Sequence, residues 1–408
     1  MKAVVLSGGG AKGAYEIGVW KALRELEYSY DIVTGTSIGS VNGLFMVQND
    51  YYKCFLLWYY ANYDMLYNEK IDDDLEDFEV YKQYVKNFIE KGGMSTSKMA
   101  KLLDKVVKFN KFKKSKVDYG IVTYNLTKMK PVIKTKKDFT ETDLKNYVLA
   151  SCTCYPAFQK LEIDGNHYID GGYYDNMPIN LAIDMGATEI LAVDLNAIGI
   201  QRKPKDKKVK ITYIKPRNDI GSFLVFSKEN ARRAMKLGYN DTMKTFGKLD
   251  GDKFTFKHKH LIYNYEYIKD NFIKTLNKIT KNEKFIIVNR NLNYIKSLDT
   301  LPKKINEIIE YLGEVFDMDE ADIHKIYKFN SHIKKELKTI ETYSKDYIYR
   351  CLKETKLQKL VNSKMIIKNI YDLLEHNKIT EVIAISNIFA REFNAALYLH
   401  SIKKSQLY

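Results

Sequence analysis

The sequence is poor in the residues that staple, kink or anchor a chain: its 408 residues include four cysteines, six prolines and two tryptophans. The cysteines, Cys54, Cys152, Cys154 and Cys351, show no metal-ligand spacing. Cys152 and Cys154 sit too close in sequence to close a normal structural disulfide, so free reduced thiols are expected. No run of 18 apolar residues occurs. The best stretch, Val41 to Tyr63, is broken by Gln48, Asn49, Asp50 and Lys53, and no membrane-spanning helix is predicted. Met1 to Leu6 run straight into glycines, with no hydrophobic leader and cleavage site behind them, so a cytoplasmic location is expected, with a peripheral seat on a membrane compatible with it. Histidine is scarce too: of seven, only His167 precedes His258.

What is present reads as globular. Apolar residues make up 45% and charged residues 29%, and the length fits two domains, or one large α/β domain with a helical extension. The 32 tyrosines reflect a coding bias rather than a function. The net charge of +15 suggests an anionic partner. It spreads about evenly along the chain, with no aromatic-interleaved basic helix, and nucleic acid is not expected. One dense cluster, Gln201 to Arg217, reads most simply as a solvated loop leading into a strand; contact with phospholipid headgroups is the sharper alternative.

Hydrophobic periodicity sets out the order of elements. A strand at Lys2 to Leu6 is followed by a glycine turn, a helix from about Ala14 to Leu26, a strand at Asp31 to Thr36 and a helix from Ile38 to about Val47. That β-α-β-α order predicts a mainly parallel sheet flanked by helices. Helical stretches fill residues 51–110, with an acidic patch at Ile71 to Glu79 expected as a solvated loop or helix start. Hairpins are predicted from Tyr119 to Thr135 and around Asp164-Gly165-Asn166. A helix at Ile179 to Met185, strands at Glu189 to Leu195 and Lys210 to Ile214, and a long helix from about Ser222 to Lys244 follow. Beyond Gly247 only Pro302 interrupts helix-period apolar spacing. The expected organisation is an α/β domain over 1–247 and a mostly helical region over 248–408. Phe254 to Tyr267 reads as strand-like packing with its lysines outward. The apolar stretch Tyr51 to Tyr63 reads as a helix buried all round, with an acyl groove or interfacial lid as the functional alternative.

Three motifs carry chemistry. Gly35-Thr36-Ser37-Ile38-Gly39 lies between a strand and a helix and has the form of a nucleophile elbow, where glycines flank a turn too tight for side chains. Gly8-Gly9-Gly10-Ala11-Lys12-Gly13 follows the first strand and opens the first helix. It satisfies the dinucleotide pattern, but the next strand ends in Gly35-Thr36-Ser37 and not in a ribose-binding acid. A P-loop fails as well, because Ala14-Tyr15 stand where Lys-Ser/Thr is needed. The remaining role is an oxyanion hole of backbone N–H groups at a helix start. The third motif, Asp170-Gly171-Gly172, ends the second hairpin. A serine needs a base, and Asp170 between glycine turns is preferred to His167, whose side chain should point to the opposite face of the strand. An ordinary aspartate is a weak base at neutral pH, and partial burial would correct this.

Together these motifs, with Ala150-Ser151, Pro156, Phe158, Asp175-Asn176, Pro178 and Gly238 to Asp241, resemble the patatin-like phospholipases over about residues 1–245. The resemblance implies a patatin-like α/β sandwich and a Ser-Asp dyad without histidine: Ser37 as nucleophile, Asp170 as base, and Gly8, Gly9 and Gly10 as oxyanion donors with Lys12 and Gly13 completing the loop. Gly35 and Gly39 shape the elbow, and Gly171 and Gly172 support the base. It further implies hydrolysis of fatty-acyl esters of phospholipids, lysophospholipids or neutral lipids, at a membrane surface and without metal or cofactor. The C-terminal helices carry no chemical motif; homo-oligomerisation, membrane docking and contact with a regulator stand level for them. The competing function is an effector or interaction module whose hydrolase-like domain those helices control.

Overall fold

The computed structural model describes residues 1–66, 82, 86, 89–90, 92–281, 300–344, 347–348, 350, 361–386 and 388–402. The acidic patch at Ile71 to Glu79 and Cys351 lie outside them. The chain divides into two compact units, Met1–Thr245 and Phe246–Tyr408.

The first unit is built on an eight-stranded mixed sheet. Its strands are β1 (Lys2–Leu6), β2 (Ile32–Thr36), β3 (Asp118–Asn125), β4 (Lys130–Thr135), β5 (Leu161–Ile163), β6 (Asn166–Asp170), β7 (Glu189–Val193) and β8 (Lys210–Ile214). The spatial order is β5-β6-β3-β2-β1-β7-β8, with β4 on β3. From β3 across to β8 every pairing is parallel, and the hairpin strands β4, β5 and β6 are antiparallel. Parallel strands covered on both faces need unbroken apolar sequence, and Ala3 to Leu6 and Ile32 to Thr36 are buried at every position.

Helices α1 (Ala14–Glu25), α2 (Ile38–Gln48) and α3 (Tyr51–Tyr59) follow the first two strands. Helix α1 packs against the helix Lys228–Thr245, close enough that a Cβ on Gly18 or Gly238 would collide with the facing backbone. One polar cluster lies buried in that contact: the Tyr15 hydroxyl donates to Asp241 at 2.9 Å, and Lys244 pairs with the same carboxylate at 3.0 Å.

In the first unit two elements differ from the sequence expectation. The long helix begins at Lys228 rather than near Ser222, because residues 222–227 are diverted over the glycine loop. There the Phe223 carbonyl accepts from Ala11 N–H, and the Leu224 carbonyl from the Tyr63 hydroxyl. Helix α3 is not buried all round. Tyr51, Cys54 and Trp58 face inward, while Tyr52, Leu56 and Tyr60 are exposed.

In the second unit Leu249–Asp250, Thr255–Lys257 and Ile323–His324 form a small three-stranded sheet. The strand expected over Phe254 to Tyr267 is confined to Thr255–Lys257, and a helix runs from His260 to Thr280. Among the described residues, helices 301–315, 326–339, 363–375, 379–386 and 390–401 follow. Their aliphatic residues close one core with Phe254, Phe256, Phe272 and Phe329.

Removing one partner of a buried ion pair strands the other charge. Asp241→Ala should therefore lower the unfolding free energy by roughly 3–5 kcal/mol, read by denaturant titration of the full chain.

Candidate active site

The site is assembled on the edge of β3. Strand β4 occupies one side of β3 from Gly120 to Asn125. On the other side β2 runs only as far as Thr36, opposite Val122, and β6 continues from there in the opposite direction, with Asp170 opposite Thr123. The two strands thus end head to head on one edge. Ser37, next after Thr36, is brought beside Asp170, although 133 positions separate them in the numbering. Gly171 sits in the junction, where a Cβ would lie 2.1 Å from the Val122 carbonyl oxygen and 3.0 Å from the Thr36 methyl.

The elbow is strained at Ser37 itself. Ser37 has φ 53° and ψ −130°, a conformation unfavourable for a side-chain-bearing residue that persists only when its surroundings enforce it. They do so through three contacts. Ser37 N–H donates to Ser151 Oγ at 2.9 Å, and Ser151 in turn donates to the Val122 carbonyl at 2.7 Å. The Ser37 carbonyl accepts from the Ser40 hydroxyl at 2.6 Å. A Cβ on Gly35 would fall 2.3 Å from the Gly39 carbonyl oxygen, and one on Gly39 2.5 Å from that of Leu6, so both flanking positions exclude side chains.

Asp170 is 5% exposed. Its Oδ1 accepts from Gly172 N–H at 2.7 Å, and its carboxyl is also hydrogen-bonded to the Ser37 side chain. Burial pushes this carboxyl up to about 6, against the opposite pull of the Ser37 hydroxyl and the Gly172 amide. His167 lies elsewhere: it is exposed, it pairs with Glu162 on β5, and no histidine lines the cavity containing Ser37.

Of the glycine-loop amides, not all point at the site. Gly8 N–H donates to the Asn176 carbonyl at 2.9 Å and Lys12 N–H to the Gly9 carbonyl at 3.1 Å. Gly8, an expected oxyanion donor, and Lys12, which completes the loop, are therefore engaged within the protein. Gly9 and Gly10 line the cavity beside Ser37, and neither N–H is bonded to a backbone carbonyl among the loop contacts described. Gly10 has φ 54° and its Cα faces the Phe223 carbonyl so closely that a Cβ would lie 2.1 Å from the oxygen. Gly13 packs against Ile38 and Trp58.

Side chains given no role from sequence hold these pieces together. Asn176 is buried and binds Gly8 twice, accepting from its N–H and donating from Nδ2 to its carbonyl at 3.2 Å. Asn42, also buried, donates to the Gly13 carbonyl at 3.0 Å and to Glu16 at 2.7 Å, and accepts from Trp58 Nε1 at 2.9 Å. It ties the glycine loop to the elbow helix. Burial pushes the Glu16 carboxyl well up. A buried asparagine five residues past a candidate nucleophile was the available signal for Asn42, but a lone helical asparagine is too common to single out.

The cavity over Ser37 and Asp170 has a volume of about 420 Å³ and walls supplied by Ile38, Met99, Phe158, Phe223, Leu224 and Phe226. These walls are mostly apolar, and the Asp170 carboxylate is buried at their base. Among the described residues no group of three or more His, Cys, Asp or Glu side chains comes together as a metal site would require, and no helix is long and apolar enough to cross a membrane.

Residues 4–183 match the family model for patatin-like phospholipases. The chain is 28% identical over 209 residues to lysophospholipase NTE1 of Mycosarcoma maydis, covering 48% of this chain and 10% of that protein. It is also 28% identical over 198 residues to patatin-like phospholipase domain-containing protein 7 of Rattus norvegicus, covering 48% and 14%. A probable lipid hydrolase, 463L, of Invertebrate iridescent virus 6 is 26% identical over 194 residues, which are 45% of this chain and 63% of that protein. The chain thus spans only a small part of the first two relatives. The crystal structure of VipD from Legionella pneumophila aligns with a TM-score of 0.37 at 15% identity, over 99% of this chain and 92% of that one. The match to the patatin-like phospholipase model thus falls on residues 4–183, the part of the chain that brings the strand-end serine and aspartate together.

Proposed function

We propose that the protein is a lipid acyl hydrolase that cleaves fatty-acyl esters through a Ser37-Asp170 dyad. The observation that carries this is the Ser37 hydroxyl held on a buried carboxylate in an apolar cavity. Ser37 Oγ attacks the ester carbonyl carbon and passes its proton to Asp170. The oxygen that gains charge lies against Gly9 and Gly10 N–H, at the positive end of α1 and the turn before it. Collapse expels the alcohol, which takes the proton from Asp170. A water, deprotonated by the same carboxylate, then releases the fatty acid from Ser37. The relatives' names, a lysophospholipase and patatin-like phospholipase domain proteins, and the apolar walls favour a lipid acyl group over a short polar ester.

The burial of Asp170 gives the base its strength. An ordinary aspartate titrates near 4 and would hold the serine proton poorly. At about 6 the carboxylate remains ionised at neutral pH and accepts a proton more readily.

Three outcomes follow with p-nitrophenyl esters of short and long acyl chains as substrates. Ser37→Ala and Asp170→Asn should each abolish turnover while leaving the thermal unfolding midpoint near that of the parent; full activity in either would refute the dyad. The base works only when ionised, so kcat/KM should fall as pH drops, reaching half its plateau near the Asp170 value of about 6. A profile flat down to pH 4 would instead point to an unshifted carboxyl. His167→Ala should stay within a few-fold of the parent, since the imidazole does not face the cavity.

A further inference from the structure

The rim of the Ser37 cavity is unusual for a water-facing surface. The chain leaving β7 makes a loop, Asn196 to Ile200, that carries Ile198 at 86% exposure and Ile200 at 53%, and Tyr173 beside them is 44% exposed. All three border the cavity mouth. Two exposed isoleucines alone would be unremarkable, but this loop is not free to fold them inward. Ile200 N–H donates to the Gly172 carbonyl at 2.9 Å, and the Ile200 carbonyl accepts from Asn176 N–H at 2.6 Å. At the loop base, Asn196 N–H and the Gln201 side chain both donate to Asp194 Oδ1. Gly199 is pressed so closely on Asn176 that a Cβ would lie 2.6 Å from that side chain. The aliphatic tips are therefore presented outward on a backbone clamped to the turn that holds Asp170.

Cations and aromatic rings border the same rim. The Arg202 guanidinium lies 3.7 Å from the centre of the Tyr174 ring, and its Nε donates to the Tyr174 carbonyl. Lys160 lies over Tyr155, whose carbonyl accepts from the Tyr173 hydroxyl. Residues 203–210 of the basic cluster at Gln201 to Arg217 do not belong here. Strand β8 runs parallel to β7 and begins with Lys210 opposite Glu189, at the end of the sheet remote from Ser37. Residues 203–209 therefore descend away from the mouth, and Lys205 is neutralised by Asp184. Aliphatic tips, tyrosines and flanking cations at one opening are the composition of a surface that enters the headgroup layer.

We propose that the rim formed by Tyr173, Ile198 and Ile200, flanked by Lys160 and Arg202, seats the protein on a phospholipid bilayer bearing anionic headgroups, with the cavity mouth opening onto the lipid. This rests on the reading of Ser37 as the site of lipid-ester cleavage, and it identifies where the substrate enters. An acyl chain then passes from the bilayer into the cavity without crossing water.

The test uses the full chain in a Ser37→Ala background, so that binding is scored without turnover, and vesicles of phosphatidylcholine with and without phosphatidylglycerol. Trp20 and Trp58 are both buried, so Ile198→Trp adds the one exposed indole among the described tryptophans. Its emission should shift to the blue on adding anionic vesicles, and an unchanged spectrum would overturn the proposal. Replacing Ile198 and Ile200 together by Ser should lower vesicle partition by about tenfold or more, with the thermal midpoint held. Undiminished sedimentation, as expected were another surface responsible, would overturn it. Lys160→Gln with Arg202→Gln should weaken binding to anionic vesicles by roughly tenfold and leave binding to pure phosphatidylcholine unchanged; equal binding of the parent to both vesicle types would remove the anionic preference. Hydrolysis of a soluble ester by the parent without vesicle binding defeats the docking surface alone. Vesicle binding by a chain that hydrolyses nothing defeats the dyad alone.

Discussion

One edge of one strand brings Ser37 and Asp170 together. Strand β3 is longer than β2, and the length left over beyond Val122 is filled by β6 running the other way. Backbone hydrogen bonding cannot leave that edge bare inside a packed domain, so whichever strand completes it must end where β2 ends. The serine on the tip of β2 and the aspartate on the tip of β6 consequently meet by ladder register. The strained turn at Ser37, the glycines at 35, 39 and 171 and the Ser151 hydroxyl all serve to let two strand ends come this close.

The same closeness sets the electrostatics. A carboxylate buried without a cation is unfavourable, and Asp170 tolerates it with a single backbone amide and the serine hydroxyl as donors. More donors would stabilise the anion and draw its titration down; fewer would let burial push it further up. Asp194 shows the contrast. Near the start of the loop after β7, it has Lys215 at 3.0 Å together with Asn196 and Gln201 as donors, the environment of a structural carboxylate.

Much of this was legible in the residues. The elbow and the glycine loop announce themselves because few side chains fit such turns, and the hairpins and parallel strands follow from apolar alternation and Gly or Asn turns. Ser37 and Asp170 could be chosen as candidates by residue type and by likeness to a family. Their adjacency could not, since it depends on β6 sharing an edge with β2, a register no local pattern encodes. Nor could the fate of the Gly8 amide, which is engaged by an asparagine 168 positions away. Helix α3 misled for a physical reason: aromatic and aliphatic residues all round suggest burial, yet Tyr52, Leu56 and Tyr60 remain outside. The late start of the helix at Lys228 likewise reflects a tertiary demand, the covering of the glycine loop, and not a helix-breaking sequence.

Asn176 grips the glycine loop by both its amide and its carbonyl, and through its own N–H it also holds Ile200. The glycine loop, the turn after Asp170 and the cavity mouth are thereby tied together through one residue. Any change in the cavity's shape therefore falls more easily to Met99, which lines it from the helix Ser97–Val106, outside that tie.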